Sequence, residues 1–144
     1  MTSYTERFSE GSALLATIAP ASYSSEQNTG YVSMAQYPRL FVICHAGVLG
    51  QNVDFDVEQG TTTAGGTTGS FDSASKDFLW TATTDNDAVT VIEIRAEELT
   101  AGYLTINIEA TPAGSSSIFA VEVWGDGGAR YAPVSTTNLD SVED

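Results

Sequence analysis

Cys44 and His45 are the only cysteine and the only histidine in this 144-residue chain, and they are adjacent. Brought together, a thiol and an imidazole make a nucleophile and its base. Neighbouring residues of a strand point to opposite faces, so in an extended segment these two cannot pair. No Gly-x-Ser-x-Gly elbow is present to give His45 a serine to activate. A transition-metal site needs several convergent His, Cys or carboxylate ligands, and one of each ring and thiol is too few. A lone cysteine also excludes an internal disulfide, and Cys44 in its apolar run reads as a small core residue.

Carboxylates are the more plentiful resource. Asp54, Asp56 and Glu58 fall on one side of an alternating stretch, Asp85-Asn86-Asp87 crowd one turn, and Asp126 sits among glycines. Calcium takes oxygen ligands of this kind, but the spacing of a calcium loop is absent. A row of outward carboxylates is ordinarily a solvated face, and Asp-Asn-Asp is ordinary turn composition. Paired carboxylates beside Trp80 or Trp124 would suit glycoside hydrolysis, yet both tryptophans sit in strand-like stretches where they serve as core or interface plugs. The expectation is a protein with no catalytic residue, no bound metal and no cofactor.

The stretch that positions these residues is 39–58. Leu40 to Cys44 is a continuous apolar run, which predicts a strand buried on both faces. Val53, Phe55 and Val57 alternate with Asp54, Asp56 and Glu58, which predicts a half-buried strand. Gly50-Gln51-Asn52 between them has turn chemistry, so the two read as a central strand and its neighbour. Further strands are predicted over 13–23, with Pro20 marking an edge or a bend, and over 31–35, 76–83, 88–95, 103–111 and 118–124. The 88–95 run, Ala-Val-Thr-Val-Ile-Glu-Ile-Arg, is β-branched and predicts a strand packed on both sides. In 118–124, Phe119, Val121 and Val123 oppose Ala120, Glu122 and Trp124. Residues 60–70, Gly-Thr-Thr-Thr-Ala-Gly-Gly-Thr-Thr-Gly-Ser, are too plain to build core and read as an exposed loop or ribbon. Without Gly-Lys-Ser/Thr and a following helix they are no phosphate cradle. Residues 96–102 are the one helix-like piece, about a single turn. Together these predict an all-β fold: an antiparallel β-sandwich, jelly-roll-like, with about eight strands. It occupies residues 13–131, between a flexible N-terminal arm (1–12) and an acidic C-terminal tail (132–144).

Nineteen acidic against five basic residues give a formal net charge of −14. Such a surface repels nucleic-acid backbones and anionic membranes, and it opposes non-specific association. No apolar run reaches the length of a membrane span, and the N-terminus lacks the basic flank of a signal peptide. The expectation is a protein made and kept in the cytosol of its producing cell.

Several stretches carry a resemblance. They are Ile18-Ala19-Pro20-Ala21 with Tyr23, Thr29-Gly30-Tyr31-Val32-Ser33-Met34, Tyr37-Pro38-Arg39-Leu40, and Gly47 after the apolar strand. To these add Val91-Ile92-Glu93-Ile94-Arg95-Ala96-Glu97-Glu98-Leu99 and Ala129-Arg130-Tyr131-Ala132. The pattern, from about residue 16 to 132, resembles small β-sandwich virion proteins of tailed bacteriophages, of the capsid decoration or cement type. The resemblance implies a non-enzymatic structural protein on the outer surface of the head. Its partners would be the major capsid protein and itself, as a dimer or trimer. The expected contacts are Tyr4 and Phe8 in the arm, Thr62, Thr63, Thr67 and Thr68 in the Thr/Gly stretch, and Trp124. Rival readings are another virion part (a head–tail connector, tail or fibre module), a carbohydrate-binding module using Trp80, Trp124 and Tyr103, or a hydrolase.

Overall fold

The computed structural model describes residues 11–127. Ten strands run in order: β1 (Ser12–Tyr23), β2 (Gln27–Asn28), β3 (Val32–Ser33), β4 (Arg39–Leu49), β5 (Val53–Thr62), β6 (Gly65–Ser70), β7 (Phe78–Trp80), β8 (Val89–Arg95), β9 (Thr105–Pro112) and β10 (Ser117–Asp126). One sheet has the order β1-β10-β4-β8. The other has β2-β9-β5-β6, with β3 beside β9 and β7 beside β5. Every pairing is antiparallel. Counting β2 with β3, and β6 with β7, as single interrupted strands leaves eight, ordered 1-8-3-6 and 2-7-4-5. That is the strand order of a jelly roll, as the residue pattern predicts.

The core lies between the sheets and follows strand parity. Leu40, Val42 and Cys44 of β4, Val53, Phe55 and Val57 of β5, and Phe119, Val121 and Val123 of β10 are almost wholly buried. Phe55 stacks on Phe78 with centroids 4.4 Å apart and meets Trp80 edge-on at 4.6 Å. Burying one such ring contributes roughly 1.5–3 kcal/mol. Phe71, in a short 3-10 turn (Phe71–Ala74), is also fully buried. Trp80 adds a tie between sheets: its Nε1 donates to Thr90 Oγ1 at 3.0 Å.

Three sequence expectations change. First, β4 and β5 are not neighbours. The Gly50–Asn52 connection carries the chain from one sheet to the other, where Val53 pairs with Pro112 and Trp80. The crossing is held by Gln51, whose C=O accepts from Ser117 Oγ at 3.1 Å, and by Asn52, whose Oδ1 accepts from the Ala82 N–H at 2.9 Å. Second, β4 is buried on one face only, because Phe41 and Ile43 point away from the core and are half-exposed. Third, β8 is an edge strand, with Ile92 and Ile94 inward but Val89 and Val91 57% and 59% exposed. Of the two forms expected for residues 60–70, loop or ribbon, the structure has the ribbon: β5 and β6 form a hairpin with Thr62 opposite Gly65. At its base a Cβ on Gly60 would lie 2.7 Å from both the Gly65 carbonyl oxygen and the Tyr31 ring, so the close approach needs glycine. The helix-like piece is a 3-10 turn, Ala96–Glu98.

Candidate functional site

Strand register sorts the outward side chains of each sheet into rows, and the two outer faces differ in chemistry. On the β1-β10-β4-β8 sheet, the first row is Ser12, Asp126, Arg39 and Arg95, and the next is Leu14, Trp124, Phe41 and Glu93. Then come Thr17, Glu122, Ile43 and Val91, and last Ala120, His45 and Val89. Aromatic and branched aliphatic residues, with Glu93 and Glu122 among them, hold the middle of this face. Charges of both signs hold its end.

That charged end is ordered. Arg39 Nε donates to Asp126 Oδ2 at 3.1 Å and Nη2 bonds the same oxygen. Ser12 Oγ donates to Asp126 Oδ1 at 3.0 Å. The Arg39 guanidinium lies 4.7 Å over the Phe41 ring, and Glu93 sits 3.8 Å from Arg39 and 3.3 Å from Arg95. The bond to Asp126 is the chief reason the Arg39 guanidinium is held above its ordinary pKa. Leu14 is buried, yet it stands apart from the inter-sheet core and faces Trp124 across the strands. Trp124 is half-buried, and its Nε1 donates to Glu122 Oε2 at 3.3 Å.

The opposite outer face is acidic. Asp54, Asp56 and Glu58 project from β5, with Glu109 directly across from Asp56. Burial first, then the charges of Asp54, Asp77 and Glu58, push the Asp56 carboxyl above its ordinary value. Burial and the charges of Glu26, Glu58 and Asp56 do the same to Glu109. Glu58 accepts from Tyr31 Oη at 2.8 Å and from Asn107 Nδ2 at 3.0 Å. The Tyr31 bond docks the β2–β3 segment on the sheet. Burial and the bond to Glu58 raise the Tyr31 phenol.

The residues weighed for chemistry do not converge. Cys44 is buried and its thiol is pushed up to about 12 by burial, while His45 is exposed on the other side of β4. Asp85 Oδ2 accepts from the Thr81 N–H at 2.7 Å, and Asn86 Oδ1 from the Leu49 N–H at 2.9 Å, so this turn is built for backbone. Asp126 is engaged by Arg39 and Ser12. Among the described residues no group of three His, Cys, Asp or Glu is arranged to hold a metal ion. Trp80 is core, Trp124 lies on the outer face of the first sheet, and Tyr103 lies beside Gly69 of the second, so no aromatic platform forms.

Of the expected contact residues, Thr62, Thr63, Thr67 and Thr68 are exposed on the β5–β6 hairpin. Trp124 is on the other sheet, so the structure does not bring the five together. Tyr4 and Phe8, like most of the expected arm and all of the expected tail, lie outside the described residues. Thr63 also lines a cleft of about 600 Å³ with Leu15, Tyr31, Val32 and Tyr37. The outward apolar residues Phe41, Ile43, Val89 and Val91 were not singled out by sequence. Their signal was apolar residues at both parities of β4 and β8, which reads equally as double burial or as an apolar outer face.

No family model and no curated protein matches the sequence. Among solved structures, the chain is similar to one from Bacillus endospore appendages, titled a novel family of disulfide-linked pili. The TM-score is 0.38 at 11% identity, over 87% of this chain and 98% of that one. A likeness at that level bears on neither the fold nor the function of this chain.

Proposed function

We propose that this chain is a non-enzymatic structural subunit that seats its apolar outer face on an ordered protein surface and turns its acidic face to solvent. The finer reading is a decoration protein on the outer surface of a tailed-phage head, with the major capsid protein as partner. One observation carries it: the two outer faces of a single sandwich have opposite character. A face centred on Trp124, Phe41, Ile43 and Val91 has the aromatic and aliphatic middle of an interface, with Glu93 and Glu122 set among these residues. A face of Asp54, Asp56, Glu58 and Glu109 keeps coated particles apart by repulsion. Weak seats repeated over a symmetric lattice add up by avidity.

The test is co-sedimentation of the purified chain with expanded capsid shells, with bound mass measured by light scattering. Saturation at a fixed ratio per capsomer is expected. Trp124→Ala should weaken binding at least about tenfold, as truncation of a buried aromatic anchor does. A chain that stays in the supernatant at every shell concentration overturns the reading.

A further inference from the structure

Among the described residues the sandwich has four sheet edges, and three are interrupted. At the β1 edge stand Pro20, which has no N–H, and two register shifts, between Leu14 and Ala16 and between Ile18 and Ala21. β2 and β3 are two residues each, parted by Gly30 at a φ of +77°. β6 and β7 are parted by Phe71–Ala74, where Asp72, Ser73 and Ala74 all have positive φ. Devices of this kind stop a sheet from accepting another strand.

The fourth edge has none of them. β8 runs seven residues, Val-Thr-Val-Ile-Glu-Ile-Arg, without proline and without a register shift against β4. The ladder ends show which groups are used: the Ala46 N–H donates to the Ala88 carbonyl and the Ala96 N–H to the Pro38 carbonyl. Antiparallel bonding alternates, so Ala88, Thr90, Ile92 and Ile94 bond to β4. Val89, Val91, Glu93 and Arg95 turn their N–H and C=O groups to the open edge. The Arg95 N–H is satisfied by Glu98 Oε2 at 2.7 Å, which closes the strand at that end. Val89 and Val91 are also exposed, so the open backbone edge carries an apolar margin.

We propose that β8 pairs antiparallel with β8 of a second copy about a two-fold axis at Val91, joining two sheets into one of eight strands. The occupant follows from charge. On a chain of net −14 most surfaces repel their own copies. β8 and its approach carry both signs: Arg95 stands beside its own Glu93 and Glu97, and in this register it faces the partner's Asp87, an exposed turn residue just before the strand with a φ of +60°, while Val91 meets Val91. The pairing is isologous, as a two-fold contact must be, and it uses strand addition at a free edge. It also lays two apolar outer faces side by side. The inference deepens the reading of the chain as an assembling subunit and rests on it, but the purified chain alone tests it.

Hydrogen-bonded antiparallel partners stand about 5.5 Å apart at Cα, within disulfide reach. Val91→Cys should therefore cross-link under mild oxidation, while Val89→Cys, two residues from the axis, should not. Cys44 is buried with its thiol held protonated and does not compete. Val91→Pro removes a donor that β4 does not use, so the fold is kept, and light scattering should show the dimer dissociation constant raised at least about tenfold. Val91→Lys, which guards natural edges, should do the same if proline disturbs the strand. A full-length chain that stays monomeric overturns the proposal. So do equal cross-linking at 89 and 91, a dimer indifferent to Val91→Lys, and one abolished instead by deleting residues 1–10 or 128–144. A dimer that ignores capsid shells leaves this pairing standing and removes the capsid reading. A chain that binds shells but never dimerises does the reverse.

Discussion

At the scale of single residues, Gly125 of β10 is packed directly under side chains. A Cβ there would lie 2.6 Å from Tyr37 Cγ and 2.9 Å from Leu15 Cδ1. Tyr37 is buried and its Cγ is the root of a rigid ring, so it cannot simply swing away. Gly125→Ala is expected to cost about 1–3 kcal/mol, the range for overpacking, read as a lower urea midpoint at unchanged slope. Polar residues at this scale are spent on structure. Asp85, Asn86 and Asn52 each cap a backbone N–H, which is why residues with a catalytic or calcium-binding composition assemble no site. Sequence gives their identity and their turn chemistry. Which N–H each one meets is set by long-range approach, 37 residues away for Asn86 and Leu49, and no local pattern encodes that.

At the scale of elements, Gln59 near the end of β5 is the joint between sheet and loops. Its Nε2 donates to the Ser70 carbonyl at 3.0 Å and Thr100 Oγ1 at 2.9 Å, and its Oε1 accepts from the Thr100 N–H at 3.0 Å. Gln59→Ala removes a buried amide and its three bonds, each contributing about 0.5–1.5 kcal/mol net. A loss of that order in unfolding free energy is expected, with faster amide exchange at Thr100. The same elements show what the residue pattern can carry. β5 alternates from Val53 to Glu58 and β10 along its length, and their inward residues are those that alternation selects, while β9 buries Thr105 and Asn107 on the parity opposite Ile106 and Ile108. β4 and β8 are apolar at both parities, and local pattern cannot tell a strand covered twice from one that offers an apolar face outside. The Gly50–Asn52 turn is a legible break, but whether it folds back or crosses depends on which strand claims β4's other side. Here β10 does, arriving from 68 positions downstream of Leu49 in the sequence. The interface candidates stayed hidden for the same reason: Trp124 stands out by residue type, whereas Phe41, Ile43 and Val91 gain meaning only from register.

At the scale of the whole molecule, charge is sorted by face, and stability should follow pH accordingly. Asp56 and Glu109 hold their protons more tightly in the fold than in the unfolded chain, because burial and neighbouring carboxylates disfavour the ionised form. The linked stability is therefore gained as pH falls through the raised folded value, complete below the ordinary carboxylate value, and lost again as pH rises. Tm is expected to climb as pH is lowered from neutrality toward the carboxylate range. Asp56→Asn should raise Tm at neutral pH and flatten that climb. A Tm in Asp56→Asn that is no higher than wild type at neutral pH contradicts this account of the acidic face.

The position of β10 sets a clock on folding. It is the last strand described, yet it lies between β1 and β4, so the first sheet cannot close before residues 117–126 have been made. Until residues 117–126 leave the ribosome, β1 has no partner in its sheet and β4 is paired along one edge only. Such late, long-range closure makes for slow folding and a vulnerable nascent chain. A dense negative charge then has a use before any assembly exists: it holds waiting chains apart while each one is finished.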